Sequence, residues 1–234
     1  MTGFSESFTF DLVDFGPIEV PKEEIGPFRE NFLDDIYLRH IPDHFFKDED
    51  LHIIDIGANV GYFSLAAFAK FPKATIYAFE PHPYCYQVLE KRTGQYSGFN
   101  WKIQNLGVGK SDGAIEIFTN TLDSFSSTSG LEEYRGGKHS FTAQITRLDT
   151  FLKKADLPSI DFLKVDCEGA EYDILYPMNK EVFKHIRTMC IETHKGKAPS
   201  HNIQDLNVYI QSQGYQTYIS EDDHLYGYIW AWRD

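Results

Sequence analysis

The feature that narrows the fold most is the rhythm of Leu51 to Val108, where short β-branched runs alternate with segments of helical spacing. His52-Ile53-Ile54-Asp55-Ile56 reads as a strand, and Gly61–Phe71 follows with apolar residues at Phe63, Ala66, Ala67 and Ala69. Ala74–Phe79 gives a second strand, Pro83 to about Tyr96 a helix, and Trp101–Val108 a third strand. Repeats of this kind fold as a parallel sheet with right-handed crossovers and helices packed against it. At 234 residues the chain suits one such domain, and a domain of this size buries roughly 70% of its unfolded surface without help from disulfides.

The rest of the chain completes an α/β pattern. Ala114–Thr119 and Phe141–Leu148 are strand-like and flank a polar loop containing Ser124–Gly130. Ile160–Val165 reads as a buried strand, Ala170–Tyr176 as a helix, Arg187–Thr193 as a strand and Ile203–Gln213 as a helix closed by Gly214. Tyr215–Ile219 and Leu225–Trp232 look like an antiparallel hairpin that ends the sheet, with an edge that could support a homodimer. Residues 1–50 differ in texture: Gly16-Pro17, Pro21, Gly26-Pro27 and Pro42 leave room for one helix, near Phe28–His40. We read 1–50 as a cap segment packed on the core, with Asp34, Asp35 and Tyr37 available to cover a pocket, and 51–234 as the main domain.

Charge excludes one large class of partners. Acidic residues number 35 against 22 basic ones, a net charge of −13, whereas nucleic-acid binding needs clustered Lys and Arg to neutralise phosphates. Cys85, Cys167 and Cys190 are too few and too scattered for a disulfide framework or a four-ligand zinc site. The N-terminus carries acid where a signal peptide carries base, and no apolar run approaches the ~20 residues that span a bilayer. The expectation is a cytoplasmic chain with reduced thiols and no transmembrane segment.

Asp55-Ile-Gly57-Ala-Asn59-Val-Gly61 falls at the junction of the first strand and first helix, where doubly wound sheets bind cofactors. Its Gly-x-Asn-x-Gly spacing does not match the Gly-x-Gly-x-x-Gly turn that cradles a diphosphate. Glu80 closes the second strand, where an acid can accept both hydroxyl protons of a ribose. Asp55 is placed to meet the cationic end of a ligand. A ribose acid, a glycine loop and no diphosphate cradle together describe S-adenosylmethionine, with S-adenosylhomocysteine as product.

Four segments in order sharpen this: Asp55–Phe63 (DIGANVGYF), Phe79-Glu80-Pro81 (FEP), Leu148–Phe151 (LDTF) and Leu163–Glu171 (LKVDCEGAE). They resemble the motifs of the FkbM-type family of S-adenosylmethionine-dependent methyltransferases over about Leu51 to Gly214. The resemblance implies a class I methyltransferase fold, a seven-stranded Rossmann-like sheet, and methylation of a hydroxyl on a sugar or natural product. It also implies that Asp55, Gly57, Asn59 and Gly61 surround the methionine portion of the cofactor and Glu80 its ribose. Asn105 and Leu106 would lie near the adenine, and Asp166 near the reacting methyl.

Methyl transfer is an in-line displacement in which a general base removes the acceptor's proton, contributing ~10²–10⁴-fold. Asp166, Glu168, Glu192 and His194 fall at the ends of neighbouring strands. His194 is the first expectation for the base because an unshifted imidazole is largely neutral at pH 7; Asp166 and Glu168 come next. Glu168 and Glu171 have a second reading as caps of the helix that follows them. These acids and His194 could offer ligands to a divalent metal, but nothing in their spacing demands one, so none is predicted. N-methylation of an amine and cofactor binding without catalysis are the alternative functions.

Overall fold

Alternation along the central strands places one apolar core on each face of the main sheet. The computed structural model describes residues 6–13, 15–47, 50–120, 139–196, 198–221 and 226–233, so the Ser124–Gly130 loop lies outside the described residues. In chain order the elements are β1 (Ser7–Leu12), β2 (Gly16–Pro21), α1 (Ile25–Phe32), β3 (His52–Ile56), α2 (Tyr62–Lys70), β4 (Thr75–Phe79) and α3 (Pro83–Gln95). There follow β5 (Asn100–Gln104), β6 (Gly107–Val108), β7 (Gly113–Thr119), β8 (His139–Thr146), α4 (Leu148–Ala155) and β9 (Ile160–Val165). The chain closes with α5 (Glu171–Leu175), α6 (Lys180–Phe183), β10 (Ile186–His194), α7 (Ile203–Ser212), β11 (Gln216–Glu221) and β12 (Tyr226–Trp232).

Seven strands form the main sheet in the order β11-β12-β10-β9-β3-β4-β5. All pairings are parallel except those of β12, which runs against both β10 and β11. On β3 and β9, Ile54, Ile56, Leu163 and Val165 face a core shared with α4, α5 and α7. The opposite face presents Ile53 and Phe162 to Phe63, Phe68 and the 37–45 stretch. Residues two apart share a face of a strand, so Asp55, Lys164 and Glu192 share the second face with Ile53, Phe162 and Cys190.

Four sequence expectations are corrected in detail. Trp101–Val108 is not one strand: β5 ends at Gln104, and Gly107 and Val108 pair with Ile145 and Thr146 in a separate sheet ordered β6-β8-β7. A Cβ at Gly107 would stand 2.5 Å from Ile145 Cδ1, so a larger residue there would push the end of that side chain aside. The helix expected over Phe28–His40 spans Ile25–Phe32 and is followed by turns, one of them with Asp35 at φ +49. The prolines of the first fifty residues do not prevent a hairpin of β1 and β2, because a two-stranded ribbon has only edge strands, where Pro is tolerated. Leu148 opens α4 rather than closing a strand.

The first fifty residues are tied to the sheet by polar contacts as well as packing. Trp230 Nε1 donates to Ile36 O at 3.0 Å. Glu24 and Arg92 form a buried ion pair, to which the Tyr62 hydroxyl donates at 2.7 Å. Among the described residues no helix is long and apolar enough to cross a membrane, and the three cysteines are free thiols.

Candidate active site

The tips of β3, β4, β9 and β10 and the turns after them surround a cavity of about 350 Å³. Asp55 and Lys164 lie directly opposite each other on adjacent parallel strands, and both side chains are buried. Lys164 Nζ donates to Gly57 O at 2.7 Å and stands 3.2 Å from Asp55 Oδ1 and 3.4 Å from Asp166 Oδ2. Burial alone would lower the lysine pKa, but Asp55 and Asp166 outweigh it and hold the ammonium above its ordinary value. Asp55 also accepts from Ser64 Oγ at 2.8 Å. It therefore lies beneath the cavity wall, anchoring Lys164.

The 57–61 loop is tightly built. Gly57 has φ +77, and a Cβ there would meet the Asp166 carbonyl oxygen at 1.7 Å. The amides of Gly57 and Ala58 both donate to Phe79 O, and that of Gly61 to Ala58 O. Glu80 accepts from the amides of Asn59 and His82, each at 2.7 Å. The loop thus spends these donors internally, in keeping with a ligand that has no diphosphate. Burial pushes the Glu80 carboxyl up to about 7, against the two amide hydrogen bonds that lower it.

Two chemically distinct ends follow. At one, Phe79, Pro81, Val108, Ile117, Phe141 and Ile145 form an apolar slot beside Glu80, with the His82 ring edge-on to Phe141 at 5.1 Å. At the other, Asp166, Glu168 and Glu192 meet Tyr37, Glu30 and Asn31 from the first fifty residues. The Tyr37 hydroxyl lies 3.0 Å from both Asp166 Oδ2 and Glu192 Oε2. One hydroxyl proton cannot fully serve two carboxylates; burial, and then Asp166, raise Glu192 to about 8, so that at neutral pH its own proton can complete the second contact.

His194 contradicts the expectation of an unshifted, neutral imidazole. Its Nδ1 is 3.0 Å from Glu171 Oε1, and its Nε2 is 3.6 Å from Glu168 and 3.7 Å from Glu192. Burial opposes the charge, but the Glu171 hydrogen bond and the surrounding acids raise the pKa to about 10. His194 is a cation at pH 7, which removes the reason for placing it first as base. A folded-state pKa above the unfolded value makes this stabilisation complete below about 6.5, and it is lost as pH rises through about 10. Unfolding of His194→Gln is expected to show a deficit of about 1.5–3 kcal/mol near pH 6, from the lost charged hydrogen bond. Urea titrations at several pH values should show that deficit shrinking towards pH 10.

The cavity wall includes Gly57, Asn59, Gly61, Glu80, Asp166 and Glu168, but not Asp55, Asn105, Leu106 or His194. Asn105 Nδ2 reaches Glu80 O at 3.4 Å, and Leu106 packs on the main core. Glu171 opens α5, but its Oε1 accepts from the amides of Cys167 and Gly169 in the turn before the helix, so it braces that turn and does not cap the helix. Asp166, Glu192 and His194 bring ligand-type atoms within 4.8 Å of one another, and Lys164 and His194 carry the positive charge beside them. Sequence reading missed Lys164, Glu30 and the slot residues of β7 and β8. Only Lys164 left a signal, as a charge inside an otherwise apolar strand.

Residues 55–217 match the model of the methyltransferase FkbM domain. The chain belongs to the FkbM methyltransferase family. The 31-O-demethyl-FK506 methyltransferase FkbM of Streptomyces tacrolimicus is 22% identical over 85% of this chain and 84% of its own length. The AMB antimetabolite synthetase AmbE of Pseudomonas aeruginosa is 25% identical over 86% of this chain, which spans only 11% of that synthetase. A crystal structure of the methyltransferase FkbM from Methylobacillus flagellatus superposes with a TM-score of 0.57 at 15% identity, covering 79% of this chain and 44% of that one. It shows the fold, that of the class I methyltransferases, whose mostly parallel sheet with an antiparallel C-terminal strand is the one described above.

Proposed function

We propose that the chain transfers a methyl group from S-adenosylmethionine to a hydroxyl oxygen of a sugar or natural product. The observation that carries this reading is the cavity's division: an apolar slot beside a carboxylate at one end, and a carboxylate cluster at the other. The slot and Glu80 suit an adenosine, and the amide oxygen of Asn59, buried without a partner, calls for a ligand donor on the same wall. When bound, the cofactor supplies a methyl already activated by its sulfonium. The O-methyltransferase name of the Streptomyces relative supports oxygen as acceptor atom.

In this reading Glu80 holds the ribose, and Gly57 to Gly61 flank the methionine portion. Asp166, at the end of β9, takes the proton of the acceptor hydroxyl, with Glu168 beside it. Its anion is held in place by Tyr37 and Lys164. His194 fixes Glu168 and Glu192 from behind. Residues 1–50 form a cap that closes the acceptor end through Tyr37.

The test is calorimetry with S-adenosylhomocysteine. Ribose hydroxyls make the stronger, charged hydrogen bonds to Glu80 only when it is ionised, so affinity should fall as pH drops below about 7. Glu80→Gln should weaken binding by roughly tenfold or more, the worth of a charged hydrogen bond, and should flatten that pH dependence. Undiminished affinity in Glu80→Gln would remove the ribose contact.

A further inference from the structure

The acceptor end of the cavity has an unbalanced hydrogen-bond inventory. Lys164 is the only Lys or Arg on the described wall, and its ammonium faces Gly57 O, Asp55 and Asp166, as many partners as it has protons. The Tyr37 hydroxyl faces Asp166 and Glu192. His194 Nδ1 and the amides of Cys167 and Gly169 converge on Glu171 Oε1. These donors are therefore engaged within the protein.

Acceptors remain. Asn31 Nδ2 donates to Pro27 O at 2.8 Å, which fixes the amide so that Oδ1 faces the other way, buried and without a partner. Asn31 is on the cavity wall together with Glu30 at its rim and with Asp166, Glu168 and Glu192. Two cations, Lys164 and His194, stand against the carboxylates of Asp55, Asp166, Glu168, Glu171 and Glu192. The cofactor brings a sulfonium, an ammonium and a carboxylate, a net charge of +1 that still leaves a negative surplus. Glu192 shares the Tyr37 hydroxyl with Asp166 and stands 3.7 Å from His194, beyond hydrogen-bond reach.

We propose that the acceptor is an amino alcohol, such as an amino sugar: a small molecule whose protonated amine is held by Glu192, Glu30 and the Asn31 amide oxygen while a neighbouring hydroxyl is methylated. This rests on the methyltransferase reading above and specifies its substrate class. An ammonium satisfies acceptors with up to three protons, whereas a carboxylate or phosphate brings acceptors only, against a described wall whose one ammonium, that of Lys164, is already engaged. The ammonium has no lone pair, so it is not the nucleophile. The O–CH₃ bond forms as the S–CH₃ bond breaks, the bonding pair stays on sulfur, and the hydroxyl proton passes to Asp166.

The test uses three pyranoses of matched size, D-glucosamine, D-glucose and D-glucuronate, titrated into protein saturated with S-adenosylhomocysteine. D-glucosamine should bind about tenfold or more tighter than D-glucose, the worth of a charged hydrogen bond, and D-glucuronate weakest. Glu192→Gln should shrink the amine's advantage over D-glucose, the ratio of the two affinities, to within about threefold. Equal binding of amine and neutral sugar, preference for D-glucuronate, or no binding of any of the three overturns the proposal. Failure to bind S-adenosylhomocysteine would instead sink the reading on which it rests.

Discussion

Lys164→Met is expected to cost about 3–5 kcal/mol of folding stability, the range for removing one partner of a buried ion pair. The replaced ammonium is 3% exposed and lies against Asp55, which is fully buried, and against Asp166. A methionine fills most of the volume but leaves the Asp55 charge uncompensated and the Gly57 carbonyl without its 2.7 Å donor. Because domains are stable by only about 5–15 kcal/mol, urea midpoints should move far, or the variant should express as insoluble chain. The control is the double variant Asp55→Asn with Lys164→Met, which removes both charges. Recovery of more than half the lost stability is expected, and no recovery would show that the lysine acts by packing alone. Cofactor affinity should stay depressed in the double variant, because Asp166 has lost its ammonium.

Arg92→Met is expected to be nearly as damaging, again about 3–5 kcal/mol, and for a chain of this length that corresponds to roughly 6–20 °C in Tm. The guanidinium is buried against Glu24, donates to Tyr62 Oη at 2.8 Å and lies 4.2 Å from the centre of the Tyr62 ring. It also donates to the carbonyl of Val60 within the 57–61 loop. The variant should therefore lose cofactor affinity beyond what its stability predicts, since it frees the loop as well as the first fifty residues. Scanning calorimetry with and without S-adenosylhomocysteine separates the two effects. A Tm within 2 °C of wild type, no more than the shift for a loss of about 1 kcal/mol, would contradict the role given to this pair.

Much of the fold was legible in the chain because strands buried on both faces announce themselves as apolar runs. Ile160–Val165 was read with the bounds that β9 has, and the C-terminal hairpin was read as antiparallel, as β11 and β12 are. The errors fall where packing overrules local pattern. Trp101–Val108 is apolar enough for one strand, yet Gly107 and Val108 leave the sheet to pair with β8. The helix read into Phe28–His40 stops at Phe32 and gives way to turns.

By itself the sequence determined the parallel α/β frame, the glycine loop with no diphosphate cradle, and the acids at the strand ends, because each of these is a local matter of spacing and residue type. Tertiary structure alone decided which groups meet. It placed Asp55 beneath Lys164 instead of on the cavity wall, brought Tyr37 to Asp166 and Glu192 across 129 and 155 residues of chain, and surrounded His194 with carboxylates that keep it charged. The physical reason is that a side chain's ionisation and reach depend on burial and on neighbours distant in sequence, and no local pattern records either.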